Sequence, residues 1–295
     1  LCYVYYNNSE GTPMDQLNVS VWAGKTKTER DCISPERAKM IHATVGLAGS
    51  DAPQMGDSMP GLWHWCAFGP DAMTRDLKTD GHAKGGDFLP PIKLPRRMWA
   101  GGALEFHAPL RIGDVMTRTS TIREVVEKET GAGPMALVTV DHIISGPQGV
   151  AITERQDIAY LEIPKTYSPP KKRPTPSTSD FQIEMDMTSP LLFRYSAVTF
   201  NAHRIHYDAE YARNEESYPG LVVHGPLQAT LLMQAAVQHR GAMPQYFDFR
   251  GVHPAFAGED FSILGVNDDA ATMRLFTASS GHQCMQANAI WGTTV

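Results

Sequence analysis

Two stretches of this 295-residue chain hold residue types that move protons. In Phe200-Asn201-Ala202-His203-Arg204-Ile205-His206-Tyr207-Asp208, two imidazoles, an amide and a carboxylate fall within eight positions. Further along, Tyr218-Pro219-Gly220-Leu221-Val222-Val223 leads into His224-Gly225-Pro226 and a long apolar run. His203 and His206 are three apart and share a face on a helical turn. Asp208 is near enough in sequence to orient an imidazole. Imidazole titrates near neutral pH and suits general base work. Two other readings stand beside this one. Asp208 can N-cap a helix starting at Ala209, with the histidines as satisfied polar residues. His-x-x-His with a carboxylate can also hold zinc, although no strong metal spacing accompanies it.

The second stretch predicts a helix over 226–240. Pro226 suits a first helical position, where its missing N–H costs nothing. Gly241 ends the run. Fifteen residues span roughly 22 Å, and small apolar side chains predict burial. Gly225 leaves its N–H reachable at a helix N-terminus, where the dipole favours negative charge. A proton carrier and an oxyanion seat are the parts needed to protonate a carbon while charge collects on an oxygen. An ordinary buried helix with a glycine at its start fits the same residues and does not exclude that role.

The run Phe-Asn-x-His-x-Ile-His-Tyr-Asp followed by Tyr-Pro-Gly-Leu-Val-Val-His-Gly-Pro resembles the MaoC-like hydratases of the hotdog fold. The resemblance is to the two-repeat branch that includes itaconyl-CoA and mesaconyl-C4-CoA hydratases and 3-hydroxyacyl-thioester dehydratases. It covers most of the chain from about Thr28. In that family an aspartate and a histidine five residues later activate water. The histidine falls on His206, but Asn201 stands at the aspartate, and His203 takes the family's asparagine position. The family glycine that holds the thioester oxygen carries over to Gly225. The resemblance implies an α+β double hotdog, with a curved antiparallel sheet wrapped around a long central helix in each repeat.

The elements that must position these residues echo each other. Pro60-Gly61-Leu62 matches Pro219-Gly220-Leu221, and Pro109-Leu110-Arg111-Ile112-Gly113-Asp114 matches 254–260. An insertion at 78–91, rich in Gly, Lys, Asp and Pro, reads as a loop. Antiparallel strands are predicted over 115–127, 135–145 and 150–162, and again over 261–266, 272–278 and 284–291. A degenerate N-terminal repeat at 14–163, a Pro-rich linker at 164–180 and a catalytic repeat at 181–295 follow. Lys171-Lys172-Arg173 is read as solvated linker rather than a nucleic-acid patch.

Composition narrows the rest. The chain is 42% hydrophobic and 20% charged, with a formal net charge of −6. That describes a soluble globular protein with no nucleic-acid surface and no apolar run of the roughly 20 residues that spans a bilayer. Four scattered cysteines, Cys2, Cys32, Cys66 and Cys284, imply neither a zinc clip nor a disulfide framework. They point to a reducing compartment, the cytoplasm or a mitochondrial matrix. Residues 1–13 carry no signal-peptide pattern, and Met14 reads as a candidate natural start.

The expected activity is reversible hydration of a 2,3-enoyl thioester. A C5 dicarboxyl CoA ester such as itaconyl-CoA or mesaconyl-CoA is the first candidate. A 3-hydroxyacyl-ACP or -CoA substrate of fatty-acid synthesis is the second. His206 is the expected base, Asn201 the water holder, His203 a second proton carrier or carboxylate clamp, and Asp208 the partner that orients His206. Gly225 is the oxyanion donor. His224, Tyr207 and Asp57 are candidate substrate contacts, and Arg96 and Arg97 candidate phosphate contacts. His64 is read as structural. No metal or organic cofactor is expected, CoA being part of the substrate, and assembly as a homo-oligomer such as a dimer is. A hotdog thioesterase and a non-catalytic acyl-CoA-binding module are the rivals.

Overall fold

The computed structural model describes residues 21–292 apart from residue 132. Residues 1–13 and the candidate start at Met14 lie outside the described residues. Helix α4, Gly225–Arg240, has Pro226 in its first turn and closes at Gly241 with φ 76°. That left-handed conformation is one glycine adopts freely. The helix is buried almost all round, from Leu227 to Met233 and at Ala235 and Ala236. Its polar side chains are satisfied internally. Thr230 Oγ1 donates to the Pro226 carbonyl, and Gln228 Oε1 accepts from Thr277 Oγ1 at 2.6 Å.

Among the described residues ten antiparallel strands form one sheet. They are β1 Thr26–Asp31, β2 Arg96–Phe106, β3 Met116–Thr130, β4 Gly133–Gly146, β5 Gly149–Leu161, β6 Phe181–Asp186, β7 Tyr246–Gly251, β8 Asp260–Asn267, β9 Thr272–Ser279 and β10 His282–Ile290. Their order is β1-β3-β4-β5-β2-β7-β10-β9-β8-β6. Read from either edge, each half runs first, third, fourth, fifth, second strand. The two second strands meet at the middle, from Gly101↔Arg250 to Glu105↔Tyr246. This shared topology is the structural form of the sequence echo, and the fold is a double hotdog. The predicted meanders are present in both halves. The joining strands β2 and β7 are not predicted from sequence: glycines interrupt the alternation of β2, and β7 is only six residues long. Those glycines allow close backbone approach. A Cβ at Gly101 would lie 2.6 Å from the Phe249 carbonyl oxygen, and one at Gly102 2.6 Å from that of Arg155.

The first half departs from one expectation: its described residues form no long central helix. Helix α1, Pro35–Val45, corresponds in position to α2, Ser189–Val198, in the second half. Where a partner to α4 is expected, the chain makes only two 3₁₀ turns, Trp63–Cys66 and Thr74–Asp76. Glycines and prolines throughout 53–95 break any longer helix. Buried Trp63 and Leu62 fill part of the space. The Glu154 carboxylate accepts from His64 Nε2 at 2.9 Å, Trp65 Nε1 at 2.9 Å and Gln156 Nε2 at 2.8 Å. Burial raises the Glu154 pKa, but these partners outweigh it and hold the carboxyl at about 2. His64 is thus structural, as read.

The 78–91 insertion is a loop, but it is pinned against the second half. Arg204 N–H donates to the Asp80 carbonyl at 2.9 Å, and Arg204 Nη1 to that of Thr79 at 3.2 Å. Gly81, at φ 92°, leaves no room for a side chain: a Cβ would lie 1.8 Å from the Ala202 carbonyl oxygen. Gly86, on the same loop at φ 113°, faces nothing within 4 Å. Gly86→Ala should therefore cost only backbone strain, about 1–3 kcal/mol. Gly81→Ala should cost about 1–3 kcal/mol more, because the clash adds to the strain. Equal unfolding free energies for the two variants would show that the loop does not press on 201–206.

Candidate active site

The site starts where α2 stops. Thr188 caps its N-terminus by accepting from Leu191 N–H. At its end Phe200 takes φ 51°, a strained value for a non-glycine residue of the kind that clusters at functional sites. Asn201 then turns the chain. Its N–H donates to the Ser196 carbonyl at 2.8 Å, and its Oδ1 accepts from His203 N–H at 3.0 Å. Arg204–His206 forms a 3₁₀ turn.

The turn is tied to the start of α4 through Val222. Val222 N–H donates to the Ile205 carbonyl at 2.9 Å, and His206 Nδ1 donates to the Val222 carbonyl at 2.7 Å. A carbonyl only accepts, so the proton sits on Nδ1 and Nε2 keeps its lone pair. The His206 ring stacks on His224 with centroids 3.6 Å apart and planes 19° apart. His224 Nε2 lies 2.9 Å from Ser196 Oγ. The Gly225 N–H, first in α4, has no acceptor among the described residues.

Two further imidazoles extend the row. His203 lies 5.3 Å from His206, centroid to centroid, and His82 4.2 Å from His203. Each is held by a carboxylate: His203 Nε2 is 3.2 Å from Glu216 Oε1, and His82 Nδ1 3.2 Å from Asp80 Oδ2. Glu216 is 1% exposed. Burial, then the neighbouring His224 and His203, hold the His206 pKa well below the ordinary imidazole value. Burial, then His203, brings His224 to about 3. Burial also brings His82 to about 3, with its Asp80 bond opposing and the charges of Arg97 and His203 assisting. These three rings are neutral at pH 7, so His206 Nε2 is free to take a proton.

The structure gathers His206, His203, His224, Asn201 and Gly225. It turns other candidates elsewhere. Asp208 does not orient His206: its carboxylate accepts from Tyr211 N–H at 3.0 Å and Arg204 Nη2 at 2.7 Å, capping helix α3, Ala209–Asn214. Its departure also removes the third ligand from the zinc reading. Among the described residues no group of three or more His, Cys, Asp or Glu side chains is set to hold a metal ion. Tyr207 is 46% exposed, and its hydroxyl donates to the Ala202 carbonyl. Arg96 is not free for phosphate. It pairs with Glu216, Nε to Oε2 at 3.4 Å, donates to the Glu216 carbonyl, and lies 4.5 Å over the Tyr218 ring. Asp57 is exposed and closes its own turn at Gln54 N–H. Arg97 stays half-buried near His82. Sequence reasoning missed Glu216, Asp80, His82 and Ser196. The spacing Asp80-Gly81-His82 was the one local signal, hidden in a polar loop.

An open groove of about 860 Å³ lies elsewhere, on the sheet around Gly101, Asp248 and Gln286. Its polar side chains are already paired, Arg250 with Gln286 and Asn288 with Asp248, so it holds no comparable set of proton carriers.

Comparison with known proteins gives the family and the fold. Residues 62–257 match the family described as hydroxyacyl-thioester dehydratase type 2. The chain is 42% identical to a mesaconyl-C(4)-CoA hydratase from Chloroflexus aurantiacus, over 85% of this chain and 90% of that protein. A MaoC-like dehydratase from Phytophthora capsici superposes with a TM-score of 0.73 at 13% identity, covering 94% of this chain and 99% of its own. A double-hotdog protein of Mycobacterium tuberculosis does so at 0.58 and 12% identity, covering 91% and 96%.

The buried row makes a spectroscopic prediction. His206, His224 and His82 should not protonate between pH 8 and pH 5, as read by imidazole ¹⁵N shifts. Their folded pKa values are depressed, so the unfolded chain binds more protons below pH 6.5. Stability should fall as pH drops from there toward 3, by up to about 1.4 kcal/mol per pH unit for each ring. A midpoint near 6.5 at any of the three would contradict the dry row.

Proposed function

The chain belongs to the hydroxyacyl-thioester dehydratase type 2 family of MaoC-like hydratases, and we propose that it reversibly hydrates a 2,3-enoyl CoA thioester at the His206–Gly225 site. The observation that carries this reading is the fixed tautomer of His206, whose ring keeps a free Nε2 and stacks on His224, the residue before the open N–H of a helix start. Water adds to the β-carbon as His206 Nε2 takes its proton. The π electrons move toward the thioester, and charge collects on its oxygen as an enolate. The Gly225 N–H and the α4 dipole stabilise that oxygen; loss of such a donor typically costs about 10²–10³ in rate. The imidazolium then returns a proton to the α-carbon. Dehydration runs the same steps backward. The Glu216 carboxylate orients His203, which serves as a second proton carrier. Asn201 spends its amide oxygen on the turn and keeps its amide nitrogen for water.

A C5 dicarboxyl CoA ester is the preferred substrate in this reading, supported by the likeness to the mesaconyl-C(4)-CoA hydratase. The family description supports a second substrate, a 3-hydroxyacyl thioester on CoA or acyl-carrier protein. Purified protein with mesaconyl-, itaconyl- and crotonyl-CoA, followed at the enoyl absorbance, tests both. Thiol release from a saturated acyl-CoA without hydration would instead make it a thioesterase.

Three tests follow. His206→Ala and His206→Gln should each lose about 10²–10⁴ in kcat with the near-UV spectrum retained; near-normal turnover would remove His206 as base. Chelators should leave the rate unchanged, and loss restored by zinc would revive the metal reading. Asn201→Asp preserves the acceptor for His203 N–H and adds a negative charge that raises the His206 pKa. Its acidic limb should therefore move to higher pH, since the base must be neutral. Asn201→Ala should lose about 1 kcal/mol of stability with the turn's hydrogen bond and most of the turnover. Full activity in the folded Ala variant would confine Asn201 to the backbone.

A further inference from the structure

Carboxylates hold His82 and His203, and a carbonyl holds His206. His224 is held by a hydroxyl instead. Its Nε2 lies 2.9 Å from Ser196 Oγ, and both residues are buried. A carbonyl only accepts, but a hydroxyl can donate or accept. What else the pair touches decides which. Among the described residues Ser196 Oγ has no second hydrogen-bond partner, and the buried His224 Nδ1 has none at all. With the imidazole proton on Nε2, the Ser196 hydroxyl would be a buried donor without an acceptor, and Nδ1 a buried lone pair without a donor. With the hydroxyl donating, only the Nδ1 N–H is left over. Buried polar groups without partners are costly. Ser196 therefore donates to Nε2, and His224 carries its proton on Nδ1.

Both nitrogens of His224 are then closed to a further proton: Nδ1 has one, and the Nε2 lone pair is engaged by the hydroxyl. His206 also has its proton on Nδ1, held by Val222, but its Nε2 is free. The two rings stack with centroids 3.6 Å apart and planes 19° apart, so a charge on one bears directly on the other. We propose that Ser196 is a positioning residue: its hydroxyl closes His224 to a second proton and so reserves the proton of the reacting water for the stacked His206. This rests on the reading above that His206 is the base. Ser196 also belongs to the turn it serves, since its carbonyl accepts from Asn201 N–H at 2.8 Å. The other titratable and charged groups around the stack are few. Tyr195 of α2 meets His224 edge-on at 5.0 Å. His203 lies 5.3 Å from His206, with Glu216 bonded to it and Arg96 bonded to Glu216. Among the described residues no carboxylate bonds to either stacked ring, so no fixed negative charge draws a proton to His224.

The His224 tautomer can be read without turnover. In the full chain, imidazole ¹⁵N shifts should place its proton on Nδ1 from pH 8 to pH 5. Ser196→Ala removes a donor to the neutral ring. A hydrogen bond to the neutral form holds an imidazole pKa down, so its loss should raise the His224 midpoint and let the proton exchange between the two nitrogens. A charge on His224 weakens its stacked neighbour as a base. The kcat for mesaconyl-CoA should therefore fall roughly 5- to 20-fold, the scale of one hydrogen bond. KM should stay within about threefold, and the acidic limb should move to higher pH. Ser196→Thr keeps the hydroxyl and should keep the parent's tautomer and limb. If the Ala variant does not fold, Ser196→Cys, a weaker donor of similar size, should show the same changes to a smaller degree. A His224 proton on Nε2 in the parent chain would overturn the proposal. So would a folded Ala variant that melts lower but keeps the parent's tautomer and acidic limb, since the serine would then only pack. Failure to hydrate any thioester, with the serine-dependent tautomer intact, would sink the hydratase reading and leave the Ser196–His224 pair standing.

Discussion

Val222 is gripped on both of its backbone groups, and the site depends on that grip. Its N–H goes to the Ile205 carbonyl and its C=O to His206 Nδ1. The first bond docks the 3₁₀ turn onto the start of α4. The second selects the tautomer that leaves Nε2 basic. Together they press His206 against His224, the residue before Gly225. Burial then does the electrostatic work. In a dry site two stacked imidazoles cannot both carry charge, so His206 stays neutral well below the ordinary imidazole range and the helix dipole acts unscreened.

The walls of this site come from the other half of the molecule. Both halves have one strand topology, but only the second keeps the long helix. The first spends the corresponding chain on turns and a loop, and that loop crosses the seam to lie on Ala202 and Arg204. It brings Asp80 and His82 with it. Strand β2, at the seam, sends Arg96 to Glu216 and leaves Arg97 open. A duplicated fold thus divides its labour: one copy provides His203, His206, His224 and the start of α4, the other the groups that enclose them. The sheet makes this durable, since β2 lies so close to β7 at Gly101 and to β5 at Gly102 that neither glycine tolerates a side chain.

Local signals were enough for much of this. Pro226 and Gly241 bound α4 within a residue, because helix ends are set by the φ and N–H of the terminal residues themselves. The meanders were legible because alternation and Gly-rich turns are local too. The family motif marked His206 and Gly225, and the asparagine at 201 announced a departure from the usual pair. Asp208 could be read as a cap or as an imidazole partner, and its own helix took it. What spacing could not show is which distant segments meet. Glu216 and Asp80 look like solvated carboxylates in sequence, and Arg96 and Arg97 look alike. Their roles are set by the seam between the halves, which buries Glu216 against His203 and Arg96 while Arg97 is left unpaired. Secondary structure follows from each residue's own backbone, but the partner of a buried charge is decided only when the tertiary fold removes water from around it.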